Sequence, residues 1–108
     1  MTKNIVIYTL SQAIEELKKA EESGEEIVLQ SPPDAVYYAG SLYYLKLFEQ
    51  AAVACPYSKA IFILDCADAG AEVIAAMRDG HKNIRVNPDS PFRDKLISIA
   101  GKYGTNIC

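Results

Sequence analysis

Short apolar segments alternate with helix-like segments along this sequence, and the alternation constrains the fold more than any other feature. The segments typical of strands span residues 4–8, 26–30, 60–64, 83–86 and 105–108. The segments typical of helices span residues 10–23, 34–54, 69–79 and 91–103. Because strands that alternate with helices pair in parallel through right-handed crossovers, the sequence predicts an α/β domain. We expect three layers, in which four helices cover both faces of a mainly parallel, five-stranded sheet.

The third strand segment suggests the strand order, because residues 60–64 are apolar at every position. A strand has this composition when both of its sides are buried, as in the centre of a parallel sheet. We therefore expect the first and third strands to be central, and the second and fifth strands to form the edges.

The length and composition fit one globular domain, which we assign to residues 1–108. Half of the 108 residues are hydrophobic and 23% are charged, so the chain can bury a core without a disulfide or a metal ion. The formal net charge is −3. This balance argues against a nucleic-acid partner, since proteins that bind nucleic acids carry basic patches.

The cysteines and the apolar runs bear on the compartment. Cys55, Cys66 and Cys108 are irregularly spaced and form no CxxC pair, which favours a reduced cytoplasmic protein without a zinc site. The longest uncharged apolar-rich run, residues 35–45, is shorter than the ~18 residues of a membrane span. The N-terminus does not show the pattern of a signal peptide, and we expect no membrane association.

Polar residues follow several strands at their carboxyl ends, where open α/β sheets bind ligands. The residues that we expect to contact a ligand there are Ser31, Asp65, Cys66, Asp68 and Asn87. Two carboxylates, Asp65 and Asp68, suit Mg²⁺, but a single pair makes a weak metal site. A cap on the following helix is the better role for Asp68. We expect no metal ion and no cofactor.

Cys66 is the candidate nucleophile of this group. A thiol near a helix N-terminus has a lowered pKa, whereas the neighbouring carboxylates of Asp65 and Asp68 raise it. His81 follows Gly80 in a polar turn near the opposite side of the sheet, too far away to serve as its base. We therefore expect a buried, unreactive Cys66, a solvated His81 and no catalytic residue.

The stretch from residue 63 to residue 70, the helix after it and residues 83–86 resemble the middle of STAS domains, which are anti-sigma-factor-antagonist-like proteins. Residues 90–101 resemble the later helix of that fold. The central strand of that family ends in an Asp, here matched by Asp65, and a phosphorylatable Ser or Thr follows. No Ser or Thr occurs between Asp65 and Arg78. The resemblance therefore implies a STAS-like fold and a binding role, without a phosphorylation switch.

The same segment is similar to small uncharacterised bacterial proteins, and a flavodoxin-like arrangement also fits the alternation. On these grounds we expect a non-enzymatic protein-binding or regulatory module. The alternative is a small-molecule-binding protein or an enzyme that uses the strand-end cleft around Asp65, Cys66 and Asp68.

The helix predicted over residues 34–54 carries more apolar surface than one core contact requires. At about 100° per residue, we orient the following side chains inward: Val36, Gly40, Tyr43, Leu47 and Ala51. Apolar side chains continue around the helix, which predicts a symmetric homodimer or a surface for another protein. The residues expected at that interface are Tyr37, Tyr38, Tyr44, Leu45 and Phe48.

Overall fold

The computed structural model describes residues 3–33, 35–37 and 39–108, and within them strands alternate with helices in the predicted order. The strands are β1 (Lys3–Val6), β2 (Glu26–Gln30), β3 (Lys59–Ala67), β4 (Asn83–Val86) and β5 (Asn106–Ile107). The α-helices are α1 (Leu10–Ser23), α2 (Ser41–Ala54), α3 (Gly70–Asp79) and α4 (Arg93–Tyr103), and a short 3₁₀ helix spans Ala35–Tyr37. All strand pairs are parallel. The predicted α/β class, with five strands and four helices, is confirmed.

The start of α1 shows how the sequence sets an element boundary. The hydroxyl of Thr9 accepts a hydrogen bond from the backbone N–H of Gln12 at 3.1 Å. The side-chain oxygen of Gln12 accepts one from the backbone N–H of Tyr8 at 2.8 Å. These bonds satisfy amides that the first helical turn leaves unpaired, as the predicted capping box requires. The helix ends at Gly24, which has the left-handed φ of 71° typical of a glycine cap.

The strands lie side by side in chain order, β1-β2-β3-β4-β5. Central β3 and edge β5 agree with the prediction. The predicted central position of β1 and edge position of β2 are wrong, because β1 is an edge strand and β2 lies inside the sheet. Strand order depends on which strands pair with each other, and the hydrophobic pattern within a segment does not record this.

The helices form one layer, because α1 contacts α2, α2 contacts α3 and α3 contacts α4. When neighbouring parallel strands are joined by crossovers of one hand, each crossover places its helix on the same face of the sheet. The expected coverage of both faces, and with it the third layer, is therefore wrong. In the described part of the chain, the helices cover one face and leave the other without a helix layer.

The core lies between the sheet and the helix layer. The strand side chains buried there include Ile27, Leu29, Leu64, Cys66, Ile84 and Val86. Because side chains alternate along a strand, the intervening residues point to the opposite side, which we call the open face. The residues of the open face are Asn4, Val6, Glu26, Val28, Gln30, Lys59, Ile61, Ile63, Asp65, Asn83, Arg85 and Asn106.

The predicted helix over residues 34–54 is wrong in its start and only partly right in its orientation, since Val36, Leu47 and Ala51 are buried as predicted. Gly40 has a φ of 81°, a left-handed conformation that interrupts the helix, so α2 begins at Ser41. The buried side chains of α2 are those of Ser41, Tyr44, Leu47, Phe48 and Ala51. Tyr43, which we oriented inward, is exposed. The error arose because the prediction continued one helical phase through Gly40.

The described helices are short, with 14 residues in α1 and α2, 10 in α3 and 11 in α4. None of them is long and apolar enough to cross a membrane.

Candidate functional site

Ser31 and Asp65 lie together at the carboxyl ends of β2 and β3, as predicted, but both are engaged in bonds within the protein. Ser31 is fully buried, and its hydroxyl accepts a hydrogen bond from the backbone N–H of Asp65 at 2.9 Å. One carboxylate oxygen of Asp65 accepts a hydrogen bond from the N–H of Ala67 at 3.0 Å. The other lies 3.7 Å from Nε of Arg85. The geometry gives both residues a structural task at the end of β3.

That task is visible in the backbone of Ala67. Its φ of 49° is left-handed, which is rare for a residue with a Cβ, and the register between β3 and β4 shifts between Asp65 and Ala67. The carboxylate of Asp65 accepts a bond from the amide of Ala67, just after the unpaired Cys66, and the N–H of Asn87 bonds to the carbonyl of Ala67 at 3.1 Å. Asp65 and Asn87 therefore hold the bulge in place.

Cys66 is fully buried on the covered face of the sheet. Burial raises the pKa of its thiol to about 12, with the negative charges of Asp65 and Glu72 acting in the same direction. Since a thiolate is the nucleophilic form, this thiol is unreactive at neutral pH. The geometry agrees with a packing role for Cys66.

The side chain of Asp68 is exposed, unlike those of Ser31, Asp65 and Cys66, which are buried. The predicted cap on α3 is wrong: the N-cap residue is Ala69, without a side-chain hydrogen bond. The backbone carbonyl of Asp68 instead accepts a bond from the N–H of Gly70 at 2.9 Å. Among the described residues, no group of three or more His, Cys, Asp or Glu side chains is placed to hold a metal ion.

His81 is buried, so the prediction of a solvated turn residue is wrong. Its Nε2 lies 2.7 Å from the backbone carbonyl of Ser41, and its ring meets the ring of Phe48 edge-on. The hydroxyl of Ser41 also donates to a carboxylate oxygen of Asp79. These contacts join the start of α2 to the end of α3, and burial lowers the pKa of His81. They depend on how α2 crosses the sheet, which the sequence pattern around Gly80 did not reveal.

The residues predicted for a homodimer interface have different surroundings. Tyr44 and Phe48 are only 3% and 4% exposed, so the core leaves them no surface for a partner. Leu45 is half-buried. Tyr37 is 59% exposed, and Tyr38 lies outside the described residues. Burial removes Tyr44 and Phe48 from the predicted interface, because the helix is turned relative to the predicted orientation.

The open face carries an apolar patch that we call the valine–isoleucine patch, made of Val6, Val28, Ile61 and Ile63. Val28 and Ile61 are register partners on neighbouring strands. Ile61 is 46% exposed, and the other three are half-buried. None of the four belongs to the core cluster or packs against it. The patch is thus apolar surface that the protomer does not use for its own core.

Charged residues flank this patch at both ends of the strands. Glu26 and Lys59 are register partners at the amino-terminal end. Asp65 and Arg85 are register partners near the carboxyl end, where they form the ion pair already described. The positive and negative charges of these open-face residues balance.

The sequence contains an indication that one face of the sheet is exposed, but the apolar run of β3 concealed it. In β4 the charged Arg85 lies between the apolar Ile84 and Val86, and in β2 the open-face residues Glu26 and Gln30 at the two ends are polar. This period of two is typical of a strand with one exposed side. The wholly apolar run of β3 hid the pattern, because Ile61 and Ile63 lie on the open face.

Comparison of the chain with protein-family models and with curated proteins found no match.

Proposed function

We propose that this protein is a non-enzymatic protein-binding or regulatory module, and that the open face is its binding surface. The observation that carries the proposal is the valine–isoleucine patch on a parallel sheet that lacks a second helix layer among the described residues. Parallel sheets occur almost only with both faces covered. A partner protein supplies the missing layer.

The layout of the open face supports this role. An apolar centre with a polar rim is the usual anatomy of a protein interface. Here Val28 and Ile61 lie in the centre, while Glu26, Lys59 and Arg85 lie toward the ends of the strands. β-Branched side chains suit such a surface, because little side-chain entropy is lost when a partner packs against them.

The surroundings of the predicted ligand residues favour this function over the enzymatic alternative. Cys66 is a buried thiol with a raised pKa, and the oxygens of Ser31 and Asp65 already accept bonds from the backbone. The STAS-like assignment remains part of the proposal. It is supported by the parallel alternation and by Asp65 at the end of the central strand.

We further propose a cytoplasmic location. Cys55, Cys66 and Cys108 are all free thiols, and the first two are buried. Free thiols persist in a reducing compartment.

Affinity capture with chemical cross-linking and mass spectrometry tests the proposal. The bait is the wild-type chain, the Ile61→Lys variant or the Val53→Lys control. Val53 is 80% exposed on α2, so the control places the same charge on an apolar surface position away from the open face. We expect wild type and control to cross-link the same partner, either a protein of another sequence or a differently tagged copy, and Ile61→Lys to lose it. Equal capture by all three baits would contradict a binding role for the open face.

A further inference from the structure

We propose that the partner on the open face is a second copy of this chain, packed sheet to sheet about a two-fold axis. This inference rests on the proposed function and names its partner. The resulting dimer has four layers, with the two sheets inside and the helix layers outside. Two stacked sheets lie about 10 Å apart, a distance that interdigitating Val and Ile side chains fill.

The register of β2 and β3 makes the open face complementary to itself. A two-fold interface requires that a residue of one copy meets a fitting residue of the other, and the reverse. An axis that runs along the strands between β2 and β3 brings each residue of β2 opposite the β3 register partner in the other copy. Val28 then meets Ile61, Glu26 meets Lys59, and the largely buried Gln30 meets Ile63.

Charge gives the second reason for a second copy. The whole chain has a net charge of −3, so two copies repel each other over most orientations. On the open face the negative charges of Glu26 and Asp65 are offset by Lys59 and Arg85. Approach through this face therefore avoids like-charge contacts, which cost affinity in a wrong complex.

The size of the face sets the expected strength of the dimer. With strands about 4.8 Å apart and about 3.3 Å per residue, the footprint is roughly 400 Å² per copy. A stable interface of standard size buries about 800 Å² per partner, and smaller ones belong to weak or transient complexes. We therefore expect a dimer that dissociates on dilution through the micromolar range.

Sedimentation velocity over micromolar to submillimolar concentrations is the first measurement. We expect the mass of the wild-type chain to rise from monomer to dimer. Ile61→Lys stays monomeric, whereas Val53→Lys behaves as wild type. A wild-type chain that stays monomeric throughout would overturn the second-copy proposal. So would a dimer that Ile61→Lys leaves intact and that Tyr37→Glu splits, since Tyr37 lies on the surface predicted from the sequence.

A charge exchange identifies the pairing more directly. The Lys59→Glu variant brings an acid opposite Glu26 of the other copy, and the Glu26→Lys variant brings a base opposite Lys59. Each variant alone should dissociate at least about tenfold more readily than wild type, because the two-fold axis repeats the altered contact. An equimolar mixture of the two variants restores opposite charges at both contacts and should form a heterodimer. If each variant dimerises more weakly than wild type and their mixture forms no heterodimer, the proposed pairing of Glu26 with Lys59 between copies is overturned.

The outcomes separate this inference from the proposed function. If the chain is monomeric and Ile61→Lys loses cross-linking to a protein of another sequence, the open face binds a different partner and only the second-copy inference fails. If neither self-association nor cross-linking responds to Ile61→Lys, both fail. Far-UV circular dichroism of each variant, matched to wild type, shows that the fold is retained.

Discussion

Val28 on β2 and Ile61 on β3 are register partners whose side chains lie next to each other on the open face of the sheet. The neighbouring residue on β2, Leu29, points the other way and is fully buried in the core. One strand thus separates a side that packs in the core from a side that lies outside it.

The first prediction compares these two sides of β2. Leu29→Ala leaves a cavity in the core and should lower the free energy of unfolding by about 2–5 kcal/mol. Val28→Ala should lower it by about 1 kcal/mol or less, because Val28 does not pack against the core cluster. Urea unfolding measures both free energies, at a protein concentration below the micromolar range in which we expect the proposed dimer. Equal losses for the two variants would contradict the two-layer architecture.

Part of this architecture was predictable from the sequence. The alternation of apolar strands with capped helices indicated the class, because local periodicity and capping residues such as Thr9 and Gly24 act within a few positions of the chain. The strand order was not predictable in this way. It depends on contacts between segments far apart in sequence, and Ile61 is equally apolar whether a helix or a partner covers it.

The candidate site was likewise predictable in part from the sequence. Asp65 was predicted just after a central strand and lies near the carboxyl end of β3, which extends to Ala67. Its contact with Ser31 joins residues 34 positions apart through the register of β2 and β3. His81 was predicted to be solvated because it follows Gly80 in a polar turn, and its burial depends on the path of α2. Local pattern locates such residues on an element, whereas tertiary packing decides what they touch.

The second prediction concerns the buried hydrogen bond between Ser31 and Asp65. Ser31→Ala removes the acceptor of a buried backbone N–H and should cost about 1–3 kcal/mol of unfolding free energy. Ser98→Ala is the matched control, since Ser98 is exposed on α4, and it should change the free energy by less than about 0.5 kcal/mol. Denaturant unfolding of both variants gives the comparison. A Ser31→Ala variant as stable as its control would contradict a structural role for this hydroxyl.

The third prediction is a pH dependence that arises at His81. Burial lowers its pKa below the ordinary 6.5, although the charges of Asp79 and Glu49 act in the opposite direction. At a pH between the pKa of His81 in the folded protein and its ordinary value, the unfolded chain binds more protons than the folded chain. The contribution of His81 to the free energy of unfolding is therefore present above pH 6.5 and is lost as the pH falls through the folded-state pKa. His81→Gln can still donate a hydrogen bond to Ser41 but does not titrate there. Melting temperatures at about pH 8 and about pH 5 should therefore differ more for wild type than for His81→Gln, and parallel profiles would contradict this assignment.

The fourth prediction distinguishes the cysteines of the native protein. Cys108 is exposed, whereas Cys66 is fully buried with a pKa of about 12. Iodoacetamide at neutral pH should therefore alkylate Cys108 before Cys66, since access and thiolate content both limit the reaction at Cys66. Peptide mass spectrometry over time measures the order. Faster alkylation of Cys66 would instead favour the enzymatic alternative at the strand-end cleft.

Both proposals depend on what covers the open face, and methyl NMR reports on that face residue by residue. The methyl signals of the wild-type chain are followed as its concentration rises through the micromolar range. We predict that the signals of Val28, Ile61 and Ile63 shift together along one binding curve, while those of Val53 on α2 stay fixed. Unchanged signals on the open face, with concentration-dependent shifts of Leu42 or Val53 on α2, would contradict a second copy on the open face.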